Sequence, residues 1–197
     1  MPDASSSPAA AGTFQNAHPL AQRLYDRLGK GSGPIVVVGD GRGRNSRALA
    51  DAGLSVVAIP DETPYTQLAY PPRHFAGALS THAYLHGTAA KIRLGVAELA
   101  RVLQAGAPAL LTFGSIQDVR YGFGDALDAQ TFAPGDGPEQ GVPHAYFDRD
   151  GILEVLRQLV IVSIGEVNVD AIVGKWAHLE DEPAGKVHWF VEARKTS

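Results

Sequence analysis

Apolar residues along this chain fall into two rhythms, and each change of rhythm marks an element. Leu20, Leu24, Tyr25 and Leu28 recur at helical spacing within His18–Leu28, and Gly29-Lys30-Gly31 stops the helix they predict. Ile35–Val38 is an unbroken β-branched run, short enough for a strand buried on both faces. Arg44–Ala52 returns to helical spacing through Ala48, Leu49 and Ala52, Gly53 ends it, and Ser55–Ile59 reads as a second strand. Phe75–Ser80 is a third. Thr88 is placed to cap a long helix over Ala89–Leu103, with Ile92, Val96, Leu99, Ala100 and Leu103 on one face. Ala107–Phe113 is the next buried strand. Asp148 can cap a helix through Leu159 whose inward face is Ile152, Leu153, Leu156 and Leu159. Val160–Asp170 and Val187–Lys195 are two late strands, suited to an antiparallel edge pair. Strands alternating with helices predict an α/β fold: a doubly wound, mostly parallel Rossmann-like sheet with helices on both faces and an antiparallel C-terminal edge.

Two stretches break the pattern. Between Asp61 and Phe75 lies only ETPYTQLAYPPRH, where Pro64, Pro71 and Pro72 oppose regular structure. A parallel crossover needs a dozen or more residues, usually helical, so a helix and a strand are expected to be shortened or lost here. Residues 114–147 carry neither period and read as a long loop after a central strand, the place where open α/β sheets hold ligands.

Composition narrows the function classes. At 197 residues the chain is expected to be one domain over 14–197 behind a mobile Ala/Ser/Pro-rich tail at 1–13. No apolar run approaches the roughly 20 residues that span a membrane, and MPDASSSPAAAGT lacks the basic start and apolar core of a secretion signal, so a cytoplasmic protein is expected. The absence of cysteine excludes disulfides, thiolate metal sites and a cysteine nucleophile. A net charge of −4 with scattered basic residues leaves no footprint for a nucleic-acid backbone. There is no internal repeat.

The densest chemical signal is Gly39-Asp40-Gly41-Arg42-Gly43, between a strand and a helix, with Asp61 about 20 residues beyond, where a βαβ nucleotide site holds ribose hydroxyls. A dinucleotide fingerprint requires glycine at the sixth position, and here Arg44 stands there, which argues against a nicotinamide-dependent oxidoreductase. The G-x-G-x-G spacing resembles motif I of the class I S-adenosylmethionine (SAM)-dependent methyltransferases. The likeness covers about residues 18–195; GVPHAYFDRDGILEVL followed by HWFVEARK resembles their small-molecule branch. It implies SAM as cofactor and a small-molecule methyl acceptor. Gly39, Gly41 and Gly43 would line the SAM loop, Asp61 or Glu62 would hold the ribose, and Ser80 and Thr81 would lie under the methionine and sulfonium. Tyr65 and Tyr70 would lie beside the adenosine pocket, with Gln67 or Leu68 near the adenine. Three departures stand out. Val37 occupies a position where many members carry an acid, Pro60 precedes the expected ribose acid, and the 62–74 segment is truncated. They motivate a second reading, a non-catalytic SAM- or nucleotide-binding protein on the same fold.

Methyl transfer to an alcohol, phenol or amine is helped by a base, and histidine suits neutral pH. His82, Tyr84 and His86 follow a strand end at i, i+2 and i+4. One reading makes His82 the base, with Tyr84 and His86 shaping the acceptor pocket. Another makes His82, His86 and His144 metal ligands, but no carboxylate partner is evident, so no metal is expected. For each histidine the competing role is a helix cap or a bond to a backbone carbonyl. His144 is the second catalytic candidate, with Tyr146 on the same side of an extended chain. Arg120 and Tyr121 could bind an acidic or carbonyl-bearing acceptor. Trp176, His178, His188 and Trp189 could line its far side, Trp189 being also a natural core residue.

Overall fold

The computed structural model describes residues 10, 12–173 and 184–197. In chain order the first elements are α1 (Pro19–Leu28), β1 (Ile35–Val38), α2 (Arg44–Asp51), β2 (Val56–Ile59), β3 (Gly77–Ser80), α3 (Ala89–Val102) and β4 (Pro108–Ser115). They are followed by β5 (Asp125–Asp128), β6 (Thr131–Ala133), β7 (His144–Phe147), α4 (Arg149–Val155), β8 (Leu159–Asn168), α5 (Asp170–Val173) and β9 (Val187–Lys195). The parallel core of the sheet runs β2-β1-β3-β4, with Ile35 in register with both Val56 and Gly77, and Ala78 with Ala109. β9 lies antiparallel to β4 and β8 antiparallel to β9, so the expected antiparallel edge pair is present.

Side-chain alternation along β1 divides the apolar interior in two. Ile35 and Val37 face α1 and α2, and with Leu24, Tyr25, Leu49, Leu79 and Leu110 they build one core. Val36 and Val38 face the other way into a larger core against α3 and α4, with Ile92, Val96, Leu99, Phe113 and Leu156. The helix ends follow their caps: Thr88 Oγ1 accepts from Lys91 N (3.2 Å) and Asp148 Oδ1 from Gly151 N (2.7 Å). The helix that starts at Asp148 closes at Leu156, short of the expected Leu159, because Leu159 already pairs with Lys195 in β8.

Between β2 and β3 there is neither helix nor strand, as the truncated sequence predicts, and β2 is left at the sheet edge. The segment is tied to α3 instead. Leu68 N donates to Glu98 Oε1 (2.7 Å), and Arg101 Nη2 donates to the carbonyls of Leu68 (3.1 Å) and Tyr70 (2.9 Å). Tyr65 does not line a surface pocket: it is buried, edge-on to Tyr84 at 5.3 Å. Leu68 is buried as well. Residues 114–147 also differ from the expected loop. They hold β5 and β6 and end in β7, which runs parallel to the tip of β4 with Gly114 opposite Tyr146.

Candidate active site

The glycine turn sits at the carboxyl end of β1, between α2 and the ends of β2 and β3. All three glycines have positive φ, +65° at Gly39, +48° at Gly41 and +74° at Gly43, a region that L side chains avoid. Space matters at two of them. A Cβ on Gly39 would stand 2.5 Å from Ala83 Cβ, because the chain leaving β3 passes directly over the turn. A Cβ on Gly41 would stand 3.3 Å from Asp61 Oδ2, so the exposed carboxylate after β2 leans over the middle glycine. Asp40 is turned the other way: its carboxylate accepts from Asn45 N (3.3 Å) and Ser46 N (2.7 Å) and caps α2. Asn45 ties the turn to its surroundings. Its Oδ1 accepts from His18 N (2.9 Å) and its Nδ2 donates to Thr81 Oγ1 (3.1 Å). Ser80, at the end of β3, is fully buried, and its hydroxyl has no hydrogen-bond partner among the described residues.

Beyond Thr81 a 3₁₀ turn, Ala83–Leu85, carries the chain across the sheet end and brings three imidazoles together. The rings of His82 and His86 meet edge to face at 4.4 Å, and those of His86 and His144 at 4.7 Å. The backbone fixes this grouping: His86 and His144 form an isolated antiparallel bridge, Gly87 N donates to Pro143 O (2.7 Å), and Tyr65 Oη donates to His86 O (2.6 Å). Glu139 reaches into the group from the loop before β7. Its Oε1 is 3.2 Å from His86 Nε2; its Oε2 is 3.2 Å from His144 Nε2 and from Arg120 Nη1. The side chains of His144 and then His86 hold the Glu139 carboxyl far below the usual carboxylate range, so it is an anion throughout the neutral region.

No protein-family model matches the chain, and no curated protein matches it in sequence. Solved structures do match in shape. A SAM-dependent methyltransferase from Methanosarcina mazei superposes with a TM-score of 0.62 at 15% identity, over 91% of this chain and 98% of that one. The 1,6-didemethyltoxoflavin-N1-methyltransferase of Burkholderia thailandensis, solved with its namesake and S-adenosylhomocysteine, gives 0.65 at 18% identity over 92% and 79%. Geranyl diphosphate C-methyltransferase from Streptomyces coelicolor gives 0.56 at 14% over 90% and 77%. The fold is that of SAM-dependent methyltransferases.

On this methyltransferase fold the residues singled out in the sequence separate into three groups. Gly39, Gly41, Gly43, Asp61, Ser80 and Thr81 surround the carboxyl ends of β1, β2 and β3. His82, His86, His144 and Arg120 converge next to them. Tyr146, Tyr121 and Phe132 form an aromatic set beyond, with the Tyr121 ring 5.3 Å from Phe132 and 5.8 Å from Tyr146. Burial, then the charge of Asp118, raises the Tyr146 hydroxyl well above its ordinary range. Tyr84 does not join the pocket. It is fully buried, stacked on Phe113 at 5.6 Å, and its hydroxyl reaches back to Gly95 O (3.4 Å), so it is a core side chain. Trp189 is also core, donating from Nε1 to Phe147 O (2.8 Å). His188 lies 3.8 Å from the buried carboxylate of Asp118, which itself accepts from Arg120 N and Val187 N. Trp176 and His178 lie outside the described residues. Sequence reasoning missed Glu139 and Asn45. Glu139 sits in GDGPEQG, which has no periodic signal; Asn45, inside α2, reads as an ordinary helix residue until its fold partners are visible.

Proposed function

We propose that the chain is a SAM-dependent methyltransferase with a small-molecule acceptor. The carrying observation is the convergence, at the carboxyl ends of three parallel strands, of a glycine turn, a facing carboxylate and a histidine cluster. The residues fit SAM on two counts: the bare Gly41 under Asp61 makes a cradle that a Cβ would fill, and the buried Ser80 hydroxyl is without a partner. SAM, when bound, supplies a methyl group on a sulfonium. Asp61 accepts from the ribose hydroxyls, the backbone of 39–43 lines the cofactor, and Ser80 and Thr81 offer hydroxyls at the end of β3. On the acceptor side His82 takes the acceptor proton, with His144 as the second basic group. Arg120 and the Tyr121–Tyr146 aromatic pair orient the acceptor, because alignment is the main task in a displacement of this kind. Tyr84 is left out of this assignment by its burial.

A second reading, cofactor binding without turnover, is favoured by one specific feature. Val37 is fully buried and the Asp40 carboxylate is committed to capping α2, so no acid within the strand end or the turn is free for the amino group of SAM. Calorimetric titration with SAM, S-adenosylhomocysteine and NADH decides between the classes. Micromolar binding of the two sulfur compounds is expected, abolished in Gly41→Val and weakened about tenfold in Asp61→Ala, which corresponds to about 1.4 kcal/mol. Turnover on an acceptor panel, lost in His82→Ala, then separates catalysis from binding. Binding of NADH alone would sink both readings.

A further inference from the structure

We propose that His82, His86 and Glu139 form a binding site for a divalent transition-metal ion, with His144 seated against the second oxygen of the carboxylate. One ligand atom from each of the three residues can be chosen so that all lie within 4.8 Å of one another. Ligands about 2.1 Å from a tetrahedral ion stand roughly 3.4 Å apart, so small side-chain rotations close the site. Two imidazoles and one carboxylate leave coordination positions open for a further ligand. The carboxylate that the sequence left unidentified is therefore supplied by Glu139.

His144 adds a buried ring nitrogen aimed into the same cluster. Its side chain is buried, and its Nδ1 lies 2.8 Å from the carbonyl of Val142. A carbonyl can only accept, so Nδ1 donates to it, and the ring is held with Nε2 3.2 Å from Glu139 Oε2. Nε2 is one of the few buried side-chain atoms that meet no strict hydrogen-bond geometry among the described residues. Arg120 Nη1 meets the same Oε2 at 3.2 Å, and Oε1 meets His86 Nε2 at 3.2 Å. A backbone carbonyl fixing one ring nitrogen so that the other points into a site is also the usual outer-shell arrangement of metal-bound histidine.

Imidazole-rich sites select zinc, iron, cobalt or nickel over magnesium and calcium, which prefer oxygen. Because Ala83 packs on Gly39, the ion would sit next to the proposed SAM turn. Its role there rests on the methyltransferase reading: with the ion bound, His82 would be a ligand and the role of base would pass to His144, while the open positions would take the oxygen, nitrogen or sulfur of the acceptor and lower the pKa of its proton. That gives the acceptor class as a small molecule with a metal-coordinating heteroatom. The existence of the site does not depend on that reading.

The test uses the full chain, stripped with a chelator and titrated with Co²⁺, Zn²⁺ and Mg²⁺. Expected are one Co²⁺ per chain with visible d–d absorption, displacement by Zn²⁺ but not by Mg²⁺, and a Zn²⁺-dependent rise in Tm. Co²⁺ affinity is expected to fall by about tenfold or more in E139Q and H86A and to be unchanged in H74Q. Should H86A fail to fold, E139Q, which keeps the side-chain shape, carries the comparison. No stoichiometric Co²⁺ or Zn²⁺ uptake by wild type, or uptake undiminished in E139Q, overturns the site. The same samples are titrated with SAM. SAM binding without metal uptake removes this site and leaves the proposed function, whereas metal uptake without SAM binding does the reverse.

Discussion

Gly95 shows how a single position in the core reaches the candidate site. It lies inside α3, where glycine costs about 1 kcal/mol relative to alanine. A Cβ there would stand 2.4 Å from Tyr65 Cδ2 and 3.1 Å from Tyr84 Cε1, both on buried rings. Gly95→Ala is therefore expected to destabilise by about 1–3 kcal/mol despite its better helix propensity, as overpacking does. The cost should shrink in the Tyr65→Ala background, a double-mutant cycle readable by urea denaturation. Tyr65 also donates to His86 O, and burial raises its hydroxyl to about 12, so it stays a donor at every physiological pH. Pushing this ring therefore moves His86. None of this was readable from the sequence: an aromatic in a proline-rich segment looks like a pocket residue, and Gly95 looks like a weak spot in a helix. Glu139 was hidden for a related reason, since its partners are set by the return of β7 alongside His86 and not by any local spacing.

Elements were more legible than contacts, because the periods that define them are local. The four parallel strands, the long helices and the late strand pair lie close to where the apolar pattern puts them, with ends shifted by a few residues. β5 failed to register because all four of its residues are exposed, leaving no alternation to detect. How α1 docks was also invisible. Gly77 in β3 leaves room for Leu28, whose Cδ1 would be 2.8 Å from a Cβ there. Glu192, buried in β9, takes Arg23 Nε at 2.9 Å and Arg27 Nε at 2.7 Å from the same helix. The arginines are half-exposed and the carboxylate is not, which makes the pair asymmetric. Glu192→Gln frees two cations that can turn to water and should cost about 1 kcal/mol. The double variant Arg23→Ala/Arg27→Ala strands a buried anion and should cost about 3 kcal/mol or more. Equal losses in denaturant midpoint would show that the clamp does not hold α1 in this way.

At the scale of the whole molecule, His18 joins parts of the chain that the sequence gives no reason to connect. It caps α1, with Nδ1 accepting from Leu20 N at 3.1 Å, while its own N–H donates to Asn45 and its ring leans on Phe190 at 5.1 Å. Through Asn45 the same link continues to Thr81 at the end of β3. An imidazole that must accept at Nδ1 is neutral there, and burial, then Arg44 and His188, lower its pKa from 6.5 to about 3. The unfolded chain takes up a proton at His18 below pH 6.5 that the folded chain refuses until near pH 3. The stability this histidine contributes is thus complete above pH 6.5 and is lost as the pH falls toward 3. Over that window the slope is at most about 1.4 kcal/mol per pH unit. Urea midpoints measured from pH 7.5 down to 4.5 should show it. His18→Asn keeps a side-chain acceptor at the cap but cannot titrate, so its profile should be flatter by about 1 kcal/mol per unit. Parallel profiles for the two proteins would mean that the acid sensitivity of the fold arises elsewhere. A steeper wild-type profile would place its weak point in the link that carries α1 over the glycine turn, and SAM affinity should then fall along with stability.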